Sequence, residues 1–429
     1  MPLHMARMGI RLVLDGGLSL RSVPRVIMIV AEWLRESTGQ PLSLVPPDWT
    51  TIRNWLLRLG YAALSEPKHI AADWAYLVDH TVQIGQEKCL VIYGVRLSQL
   101  PWDGPGVRHE QLQMIALVPM SHSNRQRVCQ ELEAATKRTG VPREIVSDGG
   151  TDIKGGVEDF RQRYPDTAWI YDVAHKGACL LQRRWERDPR WSVFLGQMGR
   201  TKAQVQQTEL AYLAAPTVRP KSRYMNLGPV LRWARLMLNI LDRAQATAEQ
   251  RERMEQKLGW LREYRAALSE WLPQYEAVQT VVRWVRQHGV YQGIEEDLWK
   301  KLAAVASTPA SADLAEEFSA FLAEQAVQAR PREHLLGSTE SMESCFGKWK
   351  TIEHQQSKQG FTRLILGLGA IVSDWPVRRI LEAFGRVPLR SVRNWCSEFL
   401  GPSIQAQRRV AYATAGVNES GMKAISCQD

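Results

Sequence analysis

The chain lacks most of the features that would place it by composition alone. Its six cysteines (Cys89, Cys129, Cys179, Cys345, Cys396 and Cys427) form no CxxC pair among 429 residues. That scatter excludes a cysteine-based zinc site and reads as a reducing compartment with no disulfide framework. No uncharged run reaches the roughly 18 apolar residues a spanning helix needs. The N-terminal charges Arg7, Arg11 and Asp15 precede only a brief apolar run at 26–30, with no small-residue cleavage site after it. The expectation is a soluble, cytoplasmic protein with no membrane partner. Gly (30) and Pro (21) are near average, so collagenous and low-complexity classes are out. With 45% apolar and 23% charged residues the chain reads as globular, and its length suggests two or three domains.

What is abundant is positive charge and tryptophan. The net charge is +10, which favours a polyanionic partner. Between 176 and 235 the basic residues Lys176, Arg183, Arg184, Arg187, Arg190, Arg200, Lys202, Arg219, Lys221, Arg223, Arg232 and Arg235 meet only Glu186, Asp188 and Glu209. Such a stretch is either a solvated basic face or a phosphate-contacting surface. The 16 tryptophans read mostly as core.

The pattern along the chain changes character three times. Residues 1–66 read as helices: one at 20–36, a Gly/Pro break at 39–47, then a helix at 49–59 capped by Asp48 and stopped by Gly60. This second helix carries Thr51, Arg53, Asn54 and Arg58 around an apolar stripe, the pattern of a helix-turn-helix reader, with an ordinary helical hairpin as the alternative. Residues 73–178 read as β-β-β-α-β-α-β, with strands at 74–79, 89–95, 113–118, 144–147 and 168–172. Several of these strands are apolar along their whole length, as buried central strands are. Residues 179–335 are helical throughout, with helices at 230–244, 248–272, 277–288, 295–306 and 312–327. Residues 336–412 hold helices at 338–354, 362–372 and 389–400, and 413–429 form a tail.

Three acids stand where a metal site would want them. Asp79 ends the first strand and Asp148 the fourth, followed by Gly149-Gly150. Strand ends are where ligands gather in α/β sheets. A third acid comes from a helix, where Glu340, Glu343, Gly347 and Lys350 share a face and Ser338 is placed as N-cap. Oxygen donors without cysteine suit Mg²⁺ or Mn²⁺, and two such ions suit phosphodiester chemistry.

These residues carry a resemblance. Asp148-Gly149-Gly150, followed by the stretch from Tyr164 through Asp172 to His175, looks like the second catalytic Asp and the (C/D)xxH motif of Mutator-like transposases and their bacterial relatives. Residues 338–350 are similar to the last signature of those families, with Lys348 and Lys350 as its basic residues. Gly360-Phe361 echoes a downstream Gly-Phe. From Trp74 to Leu366 the chain resembles DDE transposases of bacterial insertion sequences. The implied fold is α/β, an RNase H-like catalytic core on a mixed five-stranded sheet. An all-α insertion interrupts that core, and a helical N-terminal helix-turn-helix region precedes it.

The resemblance implies that Asp79, Asp148 and Glu343 hold two Mg²⁺ or Mn²⁺ ions. They would nick DNA at the element ends and drive 3′-hydroxyl attack on target DNA. The signature normally has Asn where this chain has Glu340, so Glu340 is a second candidate for the third acid, as Asp152 is for Asp148. His175 either contacts a phosphate oxygen or is structural, bonded to Asp172. The interval from Asp148 to Glu343, 195 residues, is what requires the insertion. Expected DNA contacts are Thr51, Arg53, Asn54, Arg58, Lys176, Arg183, Arg184, Arg187, Lys348 and Lys350. Expected partners are terminal inverted repeats, target DNA and further copies of the chain as a homodimer or higher oligomer, nucleoid-associated. The alternatives are a catalytically silent DNA-binding regulator derived from a transposase, and an RNase H-like nuclease that cuts without joining.

Overall fold

The computed structural model describes residues 3–39, 45–84, 86–104, 106–218, 223–243, 247–355, 361–402 and 404–414. Gly360, Arg219, Lys221 and nearly all of the expected tail lie outside them. Three helices come first, α1 (Leu3–Leu14), α2 (Ser22–Thr38) and α3 (Trp49–Ser65). The sheet region follows as β1 (Trp74–Ile84), β2 (Glu87–Arg96), β3 (Gln113–Met120), α4 (Arg125–Thr139), β4 (Glu144–Ser147), α5 (Thr151–Arg163) and β5 (Ala168–Tyr171). Next come α6 (Val173–Trp185), α7 (Pro189–Val205), α8 (Gly228–Arg243), α9 (Ala248–Leu258), α10 (Arg265–His288), α11 (Ile294–Leu302) and α12 (Pro309–Ala326). The chain closes with α13 (Glu340–His354), α14 (Gly367–Ile371), α15 (Val377–Arg386), α16 (Leu389–Phe399) and α17 (Ile404–Thr414). Among the described residues no helix is long and apolar enough to cross a membrane.

The five strands form one mixed sheet in the order β3-β2-β1-β4-β5. The first three are antiparallel neighbours, and β4 and β5 run parallel to β1. Alternation along β1 divides its side chains between two cores. Trp74, Tyr76 and Val78 pack with α4 and α5 residues such as Val128, Leu132 and Phe160, while Ala75 and Leu77 face the larger core shared with the remaining helices. That larger core is continuous from Ala6 to Cys396.

Two expected helix ends are corrected. The α3 helix does not stop at Gly60 but runs on to Ser65. Gly60 is instead a crossing point, because a Cβ there would overlap the Leu366 carbonyl and one at Gly369 would press on the Gly60 carbonyl. In the insertion, the break expected between 272 and 277 falls earlier, at the 3₁₀ turn Gly259–Tyr264, and α10 runs through Pro273. Buried Trp271 and Tyr275 on either side hold it in place. Three of the 16 tryptophans meet here: Trp185, Trp191 and Trp271 pack at centroid distances of 4.6 to 6.1 Å, joined by Phe194 and Tyr264. Aromatic pairs in such geometry add to the stabilisation from burial alone.

Candidate active site

Strand register sets the site. Val78 of β1 pairs with Ser147 of β4, so Asp79 and Asp148 are the next residues on two adjacent parallel strands, whose backbones lie roughly 4.8 Å apart. One expectation changes: Asp79 does not end β1, which continues to Ile84 as a hairpin with β2. What ends beside Asp79 is β4. The Asp79 side chain shares its face with Ala75 and Leu77 and accepts a 2.6 Å hydrogen bond from the His80 N–H. Two residues on, the buried Thr81 hydroxyl has no hydrogen-bond partner among the described residues. Asp148 Oδ1 accepts from Gly150 N–H at 3.0 Å. Gly149 has φ +75°, and a Cβ there would overlap the Tyr171 ring, so this turn needs glycine twice over.

The third acid comes from α13, and the start of that helix is tied to the sheet by Asp172. This carboxylate, 1% exposed, caps α6 by accepting from His175 N–H at 2.7 Å. Its other oxygen accepts from Thr339 N–H at 2.6 Å and Thr339 Oγ1 at 2.7 Å. The α13 helix therefore begins at Glu340, with Thr339 before it. Ser338, expected as the cap, accepts only from Glu340 N–H. From this clamp Glu343, one turn into the helix and exposed, lies within the electrostatic reach of Asp79 and Asp148.

Electrostatics joins the three. Burial pushes the Asp79 carboxyl up to about 7, with Asp148, Glu343 and Asp172 adding repulsion. Glu343 also rises to about 7, from the surrounding protein first and then from Asp172 and Glu340, with Asp148 adding less. Glu340 itself pairs with Arg286 of α10, which leaves Glu343 as the helix acid coupled to Asp79. A divalent cation would relieve this repulsion, and the oxygen-only donor set fits a hard ion. The spacing fits less completely. Among the described residues no three His, Cys, Asp or Glu side chains are grouped closely enough to hold a metal ion.

Asp152 is different in kind. His80 points through the opposite face of β1, where its Nε2 lies 3.1 Å from Ser123 Oγ and 3.8 Å from Asp152. Lys88 reaches the same carboxylate at 3.2 Å. These partners outweigh burial and lower the Asp152 pKa. Asp152 is thus neutralised, behind the sheet from Asp79.

His175 sits one helical turn before Cys179 on α6. Its hydrogen bond to that thiol, opposed by burial and helped by Asp148 and Asp172, raises its pKa to about 9. The His175 side chain is not what Asp172 holds; the backbone N–H is. The imidazole therefore lies within the electrostatic reach of Asp148 and Asp172. Gly347, one turn past Glu343, faces open space with nothing within 4 Å of a Cβ. Lys350 is exposed beyond it, and Lys348 is half-buried near His109.

Of the expected DNA contacts, Arg58 is corrected. Its guanidinium donates to the Val387 and Phe384 carbonyls at 2.7 and 2.5 Å and lies 4.3 Å from the centroid of the Phe384 ring. It joins α3 to α15. Arg53 is half-buried over Trp49, and Thr51 and Asn54 are half-buried on the same helix. The basic stretch is also less positive in space than along the chain. Arg183 and Arg184 both pair with Glu317 of α12, and Arg190 pairs with Glu270 of α10. Lys176 lies over Phe321, whereas Arg187 is exposed with no ion pair among the described residues. A sequence window could not see Glu317 or Glu270. Asp172 was legible only as half of a motif, and its clamp on Thr339 joins residues 167 apart.

No protein-family model matches the chain, and no curated protein does. A solved structure titled "Drosophila P element transposase strand transfer complex" is similar at a TM-score of 0.37 and 10% identity. The match covers 85% of this chain and 95% of that one. A likeness that distant assigns nothing to individual residues, so the functional reading rests on the site itself.

Proposed function

We propose that this protein is a DDE-type DNA transposase, in which Asp79, Asp148 and Glu343 hold two Mg²⁺ or Mn²⁺ ions on an RNase H-like core. The observation that carries the reading is the pair Asp79 and Asp148, side by side on adjacent parallel strands. Glu343 is coupled to them from a helix 195 residues further on. The strand order, three antiparallel then two parallel, supports the same core.

When bound, the ions supply Lewis acidity at the attacking and leaving oxygens of an in-line phosphodiester displacement. The protein's own groups do the rest. The Asp172–Thr339 clamp fixes where α13 starts, and so where Glu343 stands. The His175 imidazolium offers a positive partner to a phosphate oxygen as charge develops. Gly347 leaves the helix surface open to a DNA backbone, with Lys348 and Lys350 beside it. The substrates are terminal inverted repeats and target DNA.

The experiment is excision and strand transfer of a marker flanked by the DNA that borders the gene, comparing wild type with Glu343→Gln. Movement by wild type alone supports the transposase. Cutting without joining replaces it with a nuclease. Binding of the ends without cutting replaces it with a silent regulator.

A further inference from the structure

The α2 helix has two apolar faces, and the protein covers one of them. Val23 and Ile27 are buried where the helix packs on α1 and α3. About a third of a turn round the axis, Ile29 and Trp33 stand one above the other, each 62% exposed, and Val30 at 39% lies between them and the buried face. The outer face of a surface helix is ordinarily polar, and a contiguous apolar patch marks an interaction site. The charges on this face are ordered. Arg25 stands one turn before Ile29, and Glu36 about one turn after Trp33. At 100° per residue, Arg25, Ile29, Glu32, Trp33 and Glu36 fall within an arc of about 100°. All three charged residues are exposed and have no ion-pair partner among the described residues.

We propose that this face of α2 docks on the same face of a second copy of the chain, antiparallel across a two-fold axis near residue 31. The midpoint of Ile29 and Trp33 is residue 31, and that of Arg25 and Glu36 lies between residues 30 and 31. With a rise of about 1.5 Å per residue the two centres coincide to within about 1 Å. One axis therefore interlocks Ile29 with the partner's Trp33 and sets Arg25 against the partner's Glu36, each contact occurring twice. A parallel pairing would instead face Arg25 with Arg25 and Glu36 with Glu36. Self-complementarity of this kind defines an isologous dimer interface. Glu32, at the rim, meets its own symmetry mate and works against the contact. The inference is independent of the catalytic reading.

Sedimentation velocity of the full chain without DNA, across the micromolar range, tests it. Wild type sediments as a monomer–dimer equilibrium. Trp33→Glu is monomeric with an unchanged circular dichroism spectrum and melting temperature, since the side chain is exposed. Arg25→Glu weakens dimerisation on the order of tenfold, because the symmetry repeats the broken pair. The double variant Arg25→Glu/Glu36→Arg returns to within about twofold of wild type, and Glu32→Gln tightens the dimer by about threefold. A wild type that stays monomeric, a dimer indifferent to Trp33→Glu, or a charge swap that fails to restore association overturns the proposal.

Discussion

Two acids on opposite faces of one sheet have opposite surroundings. On one face of β1, Asp79 sits with Asp148 and within the field of Glu343 and Asp172, and its carboxyl is pushed up to about 7. On the other face, beside His80, Asp152 is answered by Lys88, His80 and Ser123, and its pKa is lowered. Both acids look alike in sequence, each close to a short apolar strand run. The difference is that one acid is answered by a lysine, a histidine and a serine, and the other lies among like charges. Carboxylates with raised pKa values mark functional sites more often than balanced ones do.

The sharpest way to break this comparison is to neutralise each side in turn. Asp79→Asn and Glu343→Gln are expected to reduce strand transfer by about a thousandfold or more, a loss of roughly 4 kcal/mol of transition-state stabilisation. Asp152→Asn should stay within about threefold of wild type, measured on a labelled donor end. Equal losses on both faces would erase the distinction.

Stability should move differently. Asp172→Ala leaves three buried donors without their acceptor and is expected to cost about 3 kcal/mol in urea unfolding. The variant with the opposite sign is Asp79→Asn. Raised carboxyl pKa values mean that the folded state holds these protons more tightly than the unfolded chain does. The destabilisation is absent below about pH 4, grows as pH rises towards 7, and is complete above it. In chelator, wild type should therefore be less stable at pH 8 than at pH 5. Asp79→Asn should recover on the order of 2 kcal/mol at pH 8. Mg²⁺ should raise the melting temperature of wild type at pH 8 and have much less effect on the variant. Asp152, with its lowered pKa, contributes stability above the unfolded carboxylate range and loses it only in stronger acid, so it is constant across this window.

The smallest effect concerns Gly347. A Cβ there meets nothing, so Gly347→Ala should stabilise the helix by about 0.5–1 kcal/mol. Gly347→Leu should leave the melting temperature within about 2 °C of wild type and yet weaken binding to a DNA end severalfold. Unchanged binding would mean that no strand passes over this face.

Much of the sheet was legible in the sequence, because each strand is a short apolar run bounded by polar turns and each of the two sheet acids follows one of those runs. Gly60 was misread because a glycine that ends a helix and one that lets another backbone cross it are the same letter. The partner that decides is Leu366, some three hundred residues away. Arg58 was misread for a related reason: an exposed-looking arginine on a helix face found carbonyls on α15. The basic stretch lost part of its charge to Glu317 and Glu270 in the same way.

The amino-acid sequence by itself determined what is local: where helices and strands begin, which acids border the strands, and that the chain carries a surplus of positive charge. Backbone propensity and hydrophobic period act over a few residues, so they are written there. Only the tertiary structure decided which acids stay unbalanced, which arginines remain free and which helix face is left uncovered. Those properties depend on groups hundreds of residues apart in the chain meeting through a continuous core.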